Sequence, residues 1–568
     1  MSQFYDQASL VMVPSGYKAG KVYSQKPLST DGELTFTRNS NATRVNADGL
    51  VEKVRTNLVR YSQDFSNAAW SKSAGTTLTH SQSDPNSGTT ATRVVMTSGA
   101  NNYLYQGITT NAGTYAVSIY IKGTSGSGSI CLSSGTSASR IGNTINYTTS
   151  WARYSIIATE PVNISGFQLD NYSDGLGQIG SDFIIAFAQN EVSDFGPTDY
   201  IPTTSAAVSV GPTANVPRLN YSNGCPSLLL EPQATALNQF SEQFDNAYWL
   251  KNAATIVANH ATSPDGYQNA DLLYPTSAGI SRYVLKFVGA TSGLAYTTSV
   301  FAKASGKNWL GMSNVDSGST TAWFNLSTGT VGTVLSGTTA KMESYGNGWY
   351  RCSVTRTAAA TTGAIVLLVE DADNSDSVTP NGTDGILIWG ANLTQTSYVQ
   401  SYIPTLGASV TRLVDTMSKA SYTCGITTEA TLFAEFEYQN TGSGYSTQFL
   451  IYNPSAGNYI YMTVLSNSIR AICVSGGVLQ TNLILASTTA GTRYKVAARF
   501  KTNDFAMYVN GTLADTDTSG TMPTFSTAST NSYIGNDASN TEPAGNVYQY
   551  LAFPTALSNA DLATLTTL

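Results

Sequence analysis

Two carboxylates in alternation are the first chemistry the sequence offers. In FAEFEYQN, from Phe433, Glu435 and Glu437 are i, i+2 neighbours on one face of an extended chain, with roots roughly 7 Å apart. Carboxyl groups brought to about 5–5.5 Å can act as a retaining glycosidase pair. Ala434, Phe436 and Tyr438 supply the inward face of a plain half-exposed strand, and that structural reading is preferred. His80 and His260, the two histidines, sit at nearly equivalent places in an internal repeat, which suits module architecture better than a Ser/His/Asp device. EDADNSDS, from Glu370, offers oxygen ligands for Ca²⁺ but lacks the sixth-position Gly and twelfth-position Glu of an EF-hand loop, so a solvated turn is expected. Cys131, Cys225, Cys352, Cys424 and Cys473 are odd in number and never spaced as CxxC, which indicates neither a disulfide framework nor a zinc site. No catalytic residue, metal or cofactor is assigned, and the chain is expected not to be an enzyme.

The repeat organises the chain. YSQDFSNAAWSKS, from Tyr61, returns as FSEQFDNAYWLKN, from Phe240, with Phe65, Trp70 and Lys72 matching Phe244, Trp249 and Lys251 at an offset of 179. YAVSIYIK from Tyr115 answers YTTSVFAK from Tyr296, Trp151 answers Trp349, and DYIPT from Asp199 answers SYIPT from Ser401, with offsets rising from 181 to 198 to 202. Ordered landmarks with growing offsets mark a duplicated module with insertions in its second copy. Similar lead-ins precede each module, TRVNADG from Thr43 and PRLNYSNG from Pro217, each followed by an apolar stretch and a Glu (Glu52, Glu231). TRLVD from Thr411 echoes them.

Strand-period runs such as YAVSIYIK are separated by Gly, Asn, Asp and Ser clusters, with only a short helix expected from Ser558. The fold class is therefore all-β: tandem antiparallel sandwiches plus a C-terminal sandwich. The expected domains are an N-terminal segment over 1–55, repeated sandwiches over 56–210 and 211–420, and a sandwich over 421–568. The second module carries 17 extra residues between Lys303 and Trp349, since the offset rises there from 181 to 198. Trp309 and Trp323 lie in that interval without counterparts in the first module, which makes them candidate glycan-binding residues, since a tryptophan face can stack on the CH face of a sugar.

Composition narrows the partners. Charged residues are 11% of 568, against about 25% in ordinary globular proteins. With net charge −7 and no basic run, nucleic acid and anionic membranes are excluded as expected partners. The N-terminus has no basic n-region, and its apolar stretch, Ala8–Val13, is too short for a signal sequence, so neither export nor membrane insertion is expected.

CPSLLLEP from Cys225, FSEQFDNAYW, GNGWYRCSVT from Gly346, GILIWGANL from Gly385 and SYIPT together resemble the carbohydrate-binding-type jelly rolls of bacteriophage fibre and receptor-binding proteins. The N-terminal YDQASLVMVPSGYKAGKVYSQKP is similar to the segment by which such fibres attach to the virion. MYVNG from Met507, SYIGN from Ser532 and VYQYLAFPTALSNADLATL from Val547 resemble a concanavalin A-like, laminin-G-type sandwich. Two positions depart from the pattern. Gln439 stands where glucanases of that type have a third acid, and Phe187-Ala188 stands against Trp389-Gly390. The resemblance implies jelly rolls for the two repeats and a fibre on the virion surface, on head or tail, assembled in the host cytoplasm as a homotrimer. Its implied partners are host cell-surface glycan and, through the N-terminal segment, other virion proteins. A polysaccharide-degrading enzyme and a purely structural decoration are the alternatives.

Overall fold

The computed structural model describes the chain except residues 1, 110, 136–139, 161–163, 223, 278, 281, 314–319, 376, 440–444, 536–544 and 568. Contacts divide it into two compact units, Val54–Gly211 and a larger one joining Met1–Lys53 to Pro212–Leu568.

The smaller unit is one jelly roll. Its two sheets run, in spatial order, Ala152–Glu160, Gly113–Gly123, Ser181–Val192, Ala91–Met96, Thr76–Gln82, and Arg140–Tyr147, Gly128–Gly135, Ile164–Asp170, Tyr103–Thr109, Ser71–Lys72. Val117, Ile119 and Ile121 point inward on their strand, as the period of two requires, to meet Val94, Leu132, Phe167 and Trp70.

In the larger unit the second jelly roll repeats this order strand for strand. One sheet runs Ala254–Ala261, Ala270–Pro275, Gly385–Thr394, Ala295–Ser305, Tyr350–Thr357. The other runs Leu250–Asn252, Tyr283–Gly289, Thr362–Glu370, Trp309–Ser313, Ala322–Asn325. Phe244 and Trp249 sit 5.0 Å apart in its core, as Phe65 and Trp70 sit 4.8 Å apart in the first. The extra residues build a strand at the edge of each sheet: Thr330–Val334 pairs with Ala322–Asn325, and Thr338–Ser344 pairs with Tyr350–Thr357. One register needs correction. Tyr120 pairs with Ala186 where Phe301 pairs with Trp389, so the bulge residue with positive φ is Phe187 in copy one and Gly390 in copy two.

The C-terminal sandwich is larger than residues 421–568. Its core sheet, Ala430–Glu437 between Gly545–Phe553 and Arg493–Phe500, is extended by Ser227–Leu230 and Leu219–Asn220, while Leu10–Met12 pairs directly with Gly545–Phe553. The facing sheet includes Gly16–Lys18, Lys21–Tyr23 and Glu33–Thr37, joined through Thr416–Lys419 to Asn531–Ile534. Within the stretch set apart as an N-terminal segment over 1–55, the strands between Leu10 and Thr37 are thus woven into the sandwich, and Leu10, Met12, Leu34 and Phe36 are core residues. The helix Asn559–Thr567 starts at Ser558, whose Oγ accepts the Asp561 N–H at 3.2 Å, and it buries Leu562 and Leu565 against Phe4 and Phe553.

The lead-ins carry the ionic centre of the larger unit. Arg44 Nε donates to Glu52 at 2.6 Å, and Arg218 repeats this with Glu231 at 2.7 Å. Arg412 also donates to Glu231, at 2.7 Å, and Asp415 pairs with Arg218 and, at 3.0 Å, with Arg38. All five side chains of the Arg38, Arg218, Arg412, Glu231 and Asp415 group are buried. Carbonyls of Pro212, Thr213 and Val216 accept from Arg38, and Ser401 donates to both oxygens of Glu231. Burial pushes the Glu231 carboxyl up, but Arg412 and Arg218 outweigh it and hold the group at about 2. Burial also lowers Arg38, beside Arg218 and Arg412, to about 10 despite Asp415.

Candidate functional site

The edge strand Thr338–Ser344 that copy two adds forms one wall of a cleft of about 530 Å³. Lys341 and Glu343 face it from the jelly roll; Glu437, Ala490, Gly491, Arg493 and Tyr548 face it from the sandwich. Glu437 points there because Ala434, Phe436 and Tyr438 take the inward positions of its strand. Lys341 and Glu343 pair at 2.8 Å, both substantially exposed. The Arg493 guanidinium lies 3.7 Å over the Tyr548 ring, and the Tyr548 hydroxyl is 3.5 Å from Glu437 Oε2. Lys341 and Glu343 also line a smaller cavity of about 90 Å³, together with Arg44, Tyr345, Arg351, Gln400 and Gln439. The cleft volume lies in the usual range for small-molecule sites, roughly 300–1,000 Å³. Its lining, two cations, two carboxylates and a phenol, presents hydrogen-bonding groups of both senses, with the Tyr548 ring buried beneath Arg493.

Glu435 and Glu437 share a face, as their spacing requires, but their surroundings differ. Glu435 is buried: Oε1 accepts from Arg493 Nε at 2.9 Å, and Oε2 accepts from Gln549 at 2.8 Å. Glu437 opens on the cleft and accepts from the Gln439 amide at 2.5 Å. His80 and His260 are exposed on equivalent strands, Thr76–Gln82 and Ala254–Ala261. In the acidic run, Asp371 accepts from Lys307 at 2.6 Å and from the Thr379 N–H, and Asp373 accepts from Thr333 on the inserted hairpin. Asp376 lies outside the described residues. Among the described residues no cluster of His, Cys, Asp or Glu is arranged to hold a metal.

Trp309 and Trp323 are diagonal neighbours on the outward face of the sheet, since Trp309 pairs with Asn325 and Gly311 with Trp323. Trp323 is 4% exposed and donates its indole N–H to the Ser375 carbonyl at 3.1 Å. Its ring offers no face to a sugar, which corrects the expectation of a stacking platform. Trp309 is half-buried, and Gly332 of the inserted hairpin is close enough that a Cβ there would come within 2.8 Å of the ring. The inserted hairpin thus packs on Trp309, and the Ser375 turn holds Trp323. Trp323→Phe should lower stability by about 1–2 kcal/mol, from the lost donor and ring area; an unchanged denaturation midpoint would show that the indole is not holding the Ser375 turn.

The cleft escaped sequence reasoning because its walls lie more than ninety residues apart in the chain, and no local pattern joins them. The one available signal was that the extra residues of copy two carry Lys341 and Glu343.

Residues 420–563 match a laminin-G-type family described as the concanavalin A-like lectin/glucanases superfamily. Among solved structures, the chain is similar to the CBM40 domain of a Ruminococcus gnavus IT-sialidase bound to α2,3-sialyllactose. Identity is 11%, covering 25% of this chain and 85% of that one, with a TM-score of 0.22. It is also similar to the CBM22-1–CBM22-2 tandem of Paenibacillus barcinonensis Xyn10C, with 11% identity over 60% and 98% of the two chains and a TM-score of 0.23. For domains LG4-5 of the mouse laminin α1 chain the values are 11%, 57%, 95% and 0.19. No curated protein matches the chain. The chain is all-β, with antiparallel jelly-roll sandwiches and a concanavalin A-like domain at its C-terminal end.

Proposed function

We propose that the protein is a glycan-binding component of a bacteriophage surface fibre that adheres without cleaving what it binds. The observation that carries this reading is the cleft between the inserted strand and the sandwich, where Arg493, Tyr548, Glu437, Lys341 and Glu343 converge. A sugar presents hydroxyls, which carboxylates accept from and cations donate to. Support for the absence of hydrolysis comes from Glu435, which is buried with its two oxygens on Arg493 and Gln549 and does not line the cleft beside Glu437. Support for the fibre reading comes from the ordered sequence motifs. Single sites of this kind are weak, and many copies on one particle restore avidity through effective concentration.

The test is the double substitution Lys341→Ala with Glu343→Ala. Both side chains are substantially exposed, so folding should change little. Binding to host glycan should fall at least tenfold, about 1.4 kcal/mol, with the melting temperature within a few degrees. Unchanged binding would remove the cleft from the reading, and new reducing ends released from capsular polysaccharide by the wild type would replace adhesion with hydrolysis. The trimer belongs to the same reading, and native mass spectrometry showing only monomer at micromolar concentration would remove it.

A further inference from the structure

Both jelly rolls carry an aromatic floor on the outward face of the sheet that contains the long bulged strand. In the second copy it consists of Phe301, Trp349, Trp389 and Tyr402, none more than 3% exposed. Its cover is the lead-in Val51–Lys53. Val51 packs on the rings while its N–H donates to the Pro264 carbonyl at 2.9 Å. The Lys53 ammonium sits 2.7 Å from Glu242, 2.8 Å from Asp265 and 5.0 Å over Trp389. This is a seat for an extended segment ending in a cation.

The first copy keeps the floor and changes the seat. Tyr120, Trp151 and Tyr200 stand for Phe301, Trp349 and Tyr402, and Phe187 supplies the ring that Trp389 supplies, stacked 4.8 Å from Tyr200. Two hydrogen bonds confirm the correspondence: Ser62 with the Tyr200 hydroxyl at 2.6 Å against Ser241 with Tyr402 at 2.7 Å, and Arg153 to Ser118 at 3.0 Å against Arg351 to Ser299 at 3.1 Å. At the rim, Glu242 becomes Gln63, Asp265 becomes Asn86 and Gly266, where Leu50 packs, becomes Ser87. Each change removes something the extended segment used: the two charges that hold an ammonium, and the space for a leucine. The rings nevertheless remain, and Tyr120, Trp151 and Tyr200 are partly exposed. Phe187 even adopts a φ of 60°, in the left-handed region where copy two has Gly390, and its ring joins the floor from there.

We propose that this face of the first jelly roll, where Tyr120, Trp151 and Tyr200 stand partly exposed around the buried Phe187 and Gln63 and Asn86 form the rim, binds a neutral saccharide. Aromatic rings take the CH faces of the sugar, and side-chain amides donate to and accept from hydroxyls without requiring a charge. The Lys122 ammonium, 5.0 Å over Trp151, supplies a further donor. The inference rests on the glycan-adhesion reading but names a site separate from the cleft.

The experiment uses the full chain on an array of neutral hexose and N-acetylhexosamine oligosaccharides alongside sialylated ones. Trp151→Ala is one variant. The double substitution Gln63→Glu with Asn86→Asp is the other; it restores the charges of copy two at a solvent-accessible rim and keeps the protein folded if Trp151→Ala does not. Each should weaken neutral-glycan binding at least tenfold, while Lys341→Ala with Glu343→Ala leaves that component in place. Full neutral-glycan binding by the rim variant overturns the proposal and leaves glycan adhesion standing. A wild type that binds no glycan on the array overturns both.

Discussion

Glu231→Ala is expected to lower the stability of the larger unit by roughly 3–5 kcal/mol, because removing one partner of a buried ionic group leaves uncompensated charge behind. Arg218 and Arg412 share Glu231 at 2.7 Å each, and without it Asp415 alone faces three buried guanidiniums. Urea denaturation of the full chain would measure the effect. The unit Val54–Gly211 contains none of these residues, so its transition serves as an internal control. Glu231→Gln, which keeps the shape, isolates the charge through pH. The folded carboxyl stands at about 2, against about 4.3 when unfolded. A depressed carboxyl pKa contributes stability that is fully present above the unfolded value and is lost as pH falls through the folded one. The difference between wild type and Glu231→Gln should therefore be constant near neutrality and shrink between about pH 5 and pH 2. A difference that holds at pH 2, or a Glu231→Ala midpoint matching the wild type, would show that the group does not hold the lead-ins together.

Those arginines were visible in the sequence only as an echo. TRVNADG, PRLNYSNG and TRLVD look alike, yet nothing local says that Arg218 and Arg412 end on one carboxylate, because Glu231 and Arg412 are separated by the whole second jelly roll. What was legible is what repeats or alternates. Trp70 and Trp249 recur because each seals the same core position, and Ala434, Phe436 and Tyr438 alternate because one face of their strand is buried. Trp323 was misplaced for a related reason. A tryptophan lacking a counterpart looks dispensable to the core, but the turn after Glu370, far along the chain, takes its indole N–H at Ser375 and leaves the ring 4% exposed. The Phe187 register slipped by one because a bulge shifts the backbone while the ring stays with Tyr120 and Tyr200, and sequence alignment sees the ring. Strands of three residues, such as Leu10–Met12, are too short to show a period, and their partner lies more than five hundred residues away.

That last point predicts how the chain can be cut. The fragment 421–568, made alone, is expected to lack a cooperative unfolding transition and to aggregate. Leu10, Met12, Val22, Leu34, Phe36, Leu228, Leu230 and Met417 all belong to the sandwich core, each 2% exposed or less, and all lie outside the fragment. Burying a large apolar side chain contributes about 1.5–3 kcal/mol, so eight of them are worth on the order of 12 kcal/mol or more, comparable with the roughly 5–15 kcal/mol by which whole domains are stable. The loss also strips partners from Gly545–Phe553 and Asn531–Ile534, leaving open strand edges that template association. The complementary cut should succeed. Arg55 pairs with Val210, so the two ends of the smaller unit lie side by side, within about 5.5 Å between Cα atoms. Joining Lys53 to Pro212 through a short Gly/Ser linker should give a soluble protein with one cooperative transition at close to the midpoint of the larger unit in the intact chain. A fragment 421–568 that melts cooperatively by calorimetry, with near-ultraviolet dichroism matching the sandwich, would show that the N-terminal strands decorate the core without completing it.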